Sequence, residues 1–306
     1  MQIALIVWAA AAVAWAQPAS EEGVDLRPRW KTGQSCRYEI WAQRQRHTTV
    51  NMGGQSRQID VLMETLGQVS WRVDEVRSDG SARCTMTLEW LKVTITGPDG
   101  QQQVNDSRQG QGDNEAIHQL IRAMAGVPIG VNVAPDGTIQ AVSGTDAIRQ
   151  RVQIKATAPE DLDFIETATD LAALPAAPAD ARAGQRWNAR FKWTHEVGFL
   201  RHDVSYTLAG VETVEGVPIA NVTSQSKLRL EVDRSQIPAD APPIDVKLLD
   251  GSASSQVMFD LIRHEAVGRN STQQTTIETV VRLPNQTLQQ RIEETIRSQA
   301  LRIAEQ

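Results

Sequence analysis

The stretch VSWRVDEVRSDG, Val69 to Gly80, returns in diluted form as VSYTLAGVETVEG, Val204 to Gly216, and this recurrence constrains the fold more than any other feature of the chain. An apolar, β-branched and aromatic run that alternates at period two and ends at a Gly turn is a strand leading into a turn. Each copy follows a Gly-Gln opening: Gly33-Gln34 before Cys36, Tyr38 and Ile40, and Gly184-Gln185 before Trp187, Ala189, Phe191 and Trp193. In both copies the alternation slips by one, from Val73 to Val76 and from Leu208 to Val211, which predicts a β-bulge at the same place in each. A third strand follows each turn, over 81–96 and 217–232. The first of these changes face between Trp90 and Leu91, so it carries a second bulge or is buried on both sides. The span from Gly33 to Val69 is sixteen residues longer than that from Gly184 to Val204. The excess maps to Gln43–Asp60, polar and Gly-containing as a protruding hairpin or loop should be.

Beyond the third strand of the first copy, Asp113 can cap a helix whose Ile117, Leu120, Ile121 and Met124 recur at helical spacing, and Gly126 stops it. VPIGVNV, APDG and TIQAV read as a hairpin, and Ser143-x-x-Asp146 and Thr157-x-x-Glu160 as capping boxes for two further helices. In the second copy a Pro-rich crossing, IPADAPPID, precedes strands over 252–261 and 268–283. Leu288, Ile292, Ile296, Ala300 and Ile303 then make one face of a C-terminal helix over 286–304. The expected fold class is α+β, mainly antiparallel β: two tandem repeats, each a curled antiparallel sheet wrapping amphipathic helices. The expected order is a signal peptide over 1–16, a flexible lead-in over 17–29, a first β-rich domain over 30–173, an Ala/Pro linker over 174–183, and a second β-rich domain over 184–306.

The signal peptide is MQIALIVWAAAAVAWA, uncharged and apolar apart from Gln2, ending in a small-x-small pattern that places cleavage between Ala16 and Gln17. It is shorter than the roughly 20 residues a spanning helix needs, and no later run is long and apolar enough. The expected location is therefore exported: periplasm, cell envelope or extracellular space. A net charge of −6 with scattered arginines argues against a nucleic-acid surface. The chain has two cysteines, Cys36 and Cys84. Export permits a disulfide between them, but in a simple meander an intervening strand would hold them about 10 Å apart. A bridge and two buried thiols both remain open.

No catalytic or cofactor motif is present: there is no GxSxG, P-loop, GxGxxG, CxxC or calcium-loop series. His264-Glu265-Ala266-Val267-Gly268 starts like a zinc-protease HExxH but ends on Gly and falls in a turn between strands. If Gly198-Phe199 were a two-residue hairpin loop, His195 would face His202, a pair able to contribute to a metal site but short of the three or four ligands zinc needs. The plain alternative is a polar pair at a hairpin tip. His118 and His47 read as surface or boundary residues. Arg44, Arg46 and Arg57, on the extended hairpin, could grip an anionic polymer or lipid headgroup, or simply be solvated. Asn105, Asn221, Asn270 and Asn285 begin N-x-S/T sequons.

The series GQ-strand, VSWRVDEVRSDGSA, LKVTITGPDG, VNDSR, a helix and VNVAPDGTIQAV resembles uncharacterised exported proteins of planctomycete bacteria over most of residues 30–142. The resemblance implies an envelope location and a domain of unknown function, with no site residues. Curled sheets of this kind are similar in fold to periplasmic lipoprotein carriers. The function expected is that of a non-enzymatic envelope protein binding an apolar or amphiphilic small molecule. A structural or protein-interaction module of the envelope is the second reading, and a metal-dependent enzyme the third.

Overall fold

A computed structural model describes residues 23–151, 174–195, 198–233 and 242–303. The signal peptide, its cleavage site, the capping box at Thr157 and most of the Pro-rich crossing lie outside these residues. The elements in chain order are β1 (Ser35–Met52), β2 (Gln55–Val76), β3 (Ala82–Thr96), β4 (Gln102–Asp106), α1 (Glu115–Met124), β5 (Pro128–Val133), β6 (Ile139–Ser143), α2 (Thr145–Arg151), β7 (Arg186–His195), β8 (Gly198–Val214), β9 (Val217–Val232), β10 (Ile244–Asp260), β11 (Glu265–Leu283) and β12 (Gln286–Ile303). All twelve strands belong to one antiparallel sheet in the order β6-β5-β3-β2-β1-β12-β11-β10-β9-β8-β7, with β4 pairing β3 off this path. The chain's first and last long strands meet at its centre, so one open sheet stands where two separate sheets were expected.

Both openings make the same hydrogen bonds. Gly33 N–H donates to the Val73 carbonyl and Gly184 N–H to the Leu208 carbonyl, each at 2.8 Å; in return Val73 N–H donates to the Gln34 carbonyl and Leu208 N–H to that of Gln185. Each Gln side chain turns back to accept from the backbone three residues earlier, Lys31 in one case and Arg182 in the other. The glycines sit at φ 82° and 80°, which other residues reach only with strain. The predicted slips are bulges, at Val73/Glu75 against β3 and at Leu208/Gly210 against β9. A further bulge opposite Gln68/Val69 accounts for the change of face between Leu88 and Leu91 on β3.

The long first hairpin is paired to its end, Met52 opposite Gln55, and turns on Gly53-Gly54 at φ 58° and 80°. It does not protrude alone, because β12 runs beside β1 as far as Leu288 opposite Met52. This overturns the expected C-terminal helix. A spacing of four is close to one helical turn but is also a multiple of two, so Leu288, Ile292, Ile296 and Ala300 lie equally well on one face of a strand. Pairing of β12 with both β1 and β11 decides for the strand.

One face of the sheet carries two apolar clusters. The first gathers Tyr38, Ile40, Val69, Trp71, Cys84 and Met86 beneath Ile121 and Met124 of α1 and Ile148 of α2. Asn114, not Asp113, caps α1, accepting from Ile117 N–H at 3.2 Å, while Asp113 accepts from Val104 N–H. The second gathers Val204, Tyr206, Leu208, Val222, Val257 and Phe259 beneath Leu26, Leu174, Ala177 and Ala181. The lead-in and the Ala/Pro stretch are therefore packed where they are described: Val24 bridges Ala181, and Leu26 is completely buried.

Candidate functional site

Side chains alternate across a strand, so the registers fix which residues share the face that carries the clusters. One transverse row runs Tyr206, Ser224, Ser255, Ser271, Ser298, Ala42 and Thr65 from β8 to β2. Its hydroxyls pair across strands, Ser224 with Ser255 at 2.7 Å and Ser271 with Ser298 at 2.6 Å. Beyond this row the central strands continue past both clusters. The next two rows place Gln273, Ile296, Arg44 and Met63 together, then Thr275, Glu294, Arg46 and Val61. A third brings Leu248, Ile277, Ile292, Thr48 and Ile59 into line. Among the described elements the helices pack mainly on β3, β4 and one another, so neither lies over these rows.

A charged trio sits in this apolar setting. Arg46 Nε donates to Glu294 Oε1 at 2.8 Å, and Arg44 Nε stands 3.6 Å from Glu294 Oε2. The Glu294 side chain is 12% exposed and those of Arg44 and Arg46 are 21% and 35% exposed, so the carboxylate lies deepest. Arg57 shares the face near the hairpin tip, opposite Val50. The sequence pointed to these arginines but missed Glu294, which it had assigned to a helix.

Where β1, β11 and β12 emerge from the clusters, Glu265 and Arg302 form a buried ion pair. Gln34 Nε2 donates to Glu265 Oε2 at 3.2 Å, and the buried Tyr38 hydroxyl donates to the Ala266 carbonyl at 2.8 Å. Burial pushes the Glu265 carboxyl up from its ordinary range, against the pull of Arg302 and Gln34. Burial likewise raises the Tyr38 hydroxyl well above its usual value. The pair that looked like half a zinc motif is thus a joint between strands: His264 occupies the turn at φ 57°, its ring edge-on to Phe259, and Glu265 faces an arginine. No group of three or more potential metal ligands occurs among the described residues.

The expected pairing of His195 with His202 does not form. His195 is opposite Gly198, and His202 is opposite Phe191, which puts the two positions roughly 13 Å apart along the hairpin. Gly198 and Phe199 are paired in the ladder, opposite His195 and Thr194, so they are not the loop. Gly198 serves instead where the Glu231 backbone comes too close for a Cβ. His202 is buried, and burial lowers its pKa to about 4. Cys36 and Cys84 are both buried and not bridged; Cys36 faces Trp71 and Cys84 faces Val73 on the intervening β2. Burial, with Asp74 and Cys36 nearby, pushes the Cys84 thiol up to about 12.

Other singled-out residues are structural. His118 lies on the inward face of α1 and is buried, not at the surface as expected, and Asn105 is fully buried with its side chain accepting from Asn114 N–H. His47 pairs with Asp60 at 2.5 Å. Trp187 stacks on Tyr206 and donates to the Pro175 carbonyl. A shallow groove of 570 Å³ on the opposite face is lined chiefly by Asp203, Ser205, Gln225, Lys227, Arg229 and Gln274. Its lining residues are mainly polar ones, and it is open to solvent.

Residues 79–168 match a family of unknown function, DUF6263. Among curated proteins nothing matches the chain. Among solved structures it is similar to lipovitellin, in a structure concerned with that protein's lipid–protein interactions: TM-score 0.50, 10% identity, covering 90% of this chain and 25% of that one. At that identity the likeness is one of fold, and the chain spans about a quarter of the lipovitellin length. A DUF1329 family protein from Desulfovibrio piger (TM-score 0.14, 10% identity, 86% and 85% covered) and OccK2 (OpdF) of Pseudomonas aeruginosa (0.22, 8%, 88% and 98%) align too weakly to bear on the fold. No helix among the described residues is long and apolar enough to cross a membrane.

Proposed function

We propose that this is an exported, non-enzymatic envelope protein that holds an apolar or amphiphilic molecule against the face of the sheet carrying its clusters. One observation carries the reading: on that face apolar side chains, among them Leu248, Ile277, Ile292 and Ile296, continue beyond the clusters with no described element over them. These side chains are half-buried, and an apolar strip that no described element covers is a surface on which an apolar ligand can lie. The lipovitellin-like fold supports it, since that protein's structure concerns lipid contacts. The leader over 1–16 and the resemblance to planctomycete proteins support export. The matched Gly-Gln hydrogen bonds and bulges support a meander module copied in tandem, its second copy extended by β10 to β12 into the shared sheet.

Native mass spectrometry of protein purified from a secreting host tests the reading. Expected is a polypeptide beginning at Gln17 that carries co-purified lipid, released and identified by solvent extraction. A bare mass, with no binding of added long-chain lipid, overturns it.

A further inference from the structure

We propose that the open groove on the face opposite the clusters is a second binding site, for an acidic polysaccharide. The charges of that face point there. Side chains alternate across a strand, so β7 and the stretches of β8 and β9 paired with it turn Arg186, Arg190, Lys192, Arg201, Lys227 and Arg229 to this face, all of them exposed. The carboxylates among them are Asp203 and Glu231; Asp233 lies past the end of β9. Asp203 is shared, with Arg190 Nε 3.2 Å from one oxygen and Arg229 Nε 3.6 Å from the other, while Glu231 takes Arg201 at 2.7 Å. Lys192 lies over the Phe199 ring, 3.6 Å from its centroid. Lys227 stands between Asp203 and Ser252 in the register and has no ion-pair partner among the described residues. The whole chain carries −6, so this cationic block is a local arrangement against the overall balance.

The groove of 570 Å³ that runs from this block fixes the chemistry of the partner. Its rows cross the sheet: Asp203, Lys227, Ser252 and Gln274 lie in one, and Ser205, Gln225, Ser254 and Thr272 in the next. Past the charges, hydroxyls and amides dominate the lining side chains. Such groups both donate and accept, as sugar hydroxyls do, and the short Ser and Thr side chains leave room along the sheet surface. A glycan bearing carboxylates meets both parts of the groove: its ring hydroxyls the Ser and Gln rows, its acid groups Lys227 and Arg229. The described lining residues include no aromatic ring on which a nucleobase could stack, and a flat bilayer cannot enter a trough. Nor do they include a large apolar side chain, which an acidic protein segment would need as an anchor.

The test is calorimetric titration of the full mature protein with hexagalacturonate, a glycan of hydroxyls and carboxylates. Its methyl ester keeps the hydroxyls and loses the charge; hexaglutamate keeps the charge and loses the sugar. The free acid is expected to bind about tenfold tighter than either, with high salt erasing its advantage over the ester. Lys227→Gln is expected to weaken it about threefold, and Ser254→Tyr, which fills the trough from an exposed strand position, about tenfold. Neither change should move the urea midpoint, since both positions are exposed. Hexaglutamate binding as tightly as hexagalacturonate would show a patch that reads charge alone and overturns the proposal. Tighter binding of a single-stranded oligonucleotide, or of vesicles of anionic phospholipid, overturns it as well. So does glycan binding that neither variant weakens, or no glycan binding at all. Circular dichroism checks the fold, and if one variant fails to fold the other still decides. Lipid bound to the opposite face is read separately by mass, so loss of this site leaves that reading standing.

Discussion

The two apolar clusters are built on the same meander and closed in different ways. β1-β2-β3 and β7-β8-β9 share the Gly-Gln hydrogen bonds and the bulge after the VS-aromatic strand. Trp71 in one takes the place of Tyr206 in the other, both buried. The first cluster is covered by α1 and α2, and the second by Leu26 and residues 174–181. A sheet face specifies how much apolar surface must be covered, not which element covers it. The two meanders differ at a matching position: Gly67, two residues before Val69, packs against Ile40, whereas His202, two residues before Val204, is a buried imidazole.

The covers should matter equally despite their different origins. Leu26→Ala and Ile121→Ala each remove a side chain with almost no exposure, and each should cost about 3 kcal/mol in urea unfolding. Because β1 pairs with β12 across the centre, both variants should shift one common transition followed by fluorescence and circular dichroism. Two transitions, each moved by only one variant, would break the coupling between the halves.

Acid should separate the two clusters. The His202 pKa is depressed to about 4 by burial, against an ordinary 6.5. Between those values the unfolded chain takes up a proton that the folded chain refuses, so this group's contribution is fully present above 6.5 and is lost as the pH falls toward 4. The loss should approach roughly 3 kcal/mol. Replacing His202→Phe should flatten the pH dependence of the urea midpoint in that window, while Gly67, its counterpart, has nothing to titrate. An unchanged slope in the variant would place the acid sensitivity elsewhere.

The smallest effect sharpens the likeness of the openings. Gly33→Ala and Gly184→Ala meet no atom within 4 Å, so their cost is backbone strain alone. Each should lose about 1–2 kcal/mol, equal to within a few tenths. Unequal losses would mean that the matching hydrogen bonds carry different loads.

What the amino-acid sequence determined by itself is the local order of the sheet. The two openings, both shared bulges, the change of face on β3 and the limits of β9 are legible because each depends on a residue's own conformational range and on a period-two pattern among near neighbours. Tertiary structure alone decided what depends on distant partners. Leu288 to Ala300 fits a helix and a strand alike, and only the flanking edges of β1 and β11 select the strand. The facing of His195 and His202 turned on where a short connection falls, and a shift there reassigns every pair along the hairpin. The candidate site shows the same division: Arg44 and Arg46 stand out in the sequence, but Glu294 is 248 positions from Arg46 and joins it only because the last strand closes against the first. Such pairing is a property of the assembled sheet, since no local propensity records which strand will lie alongside.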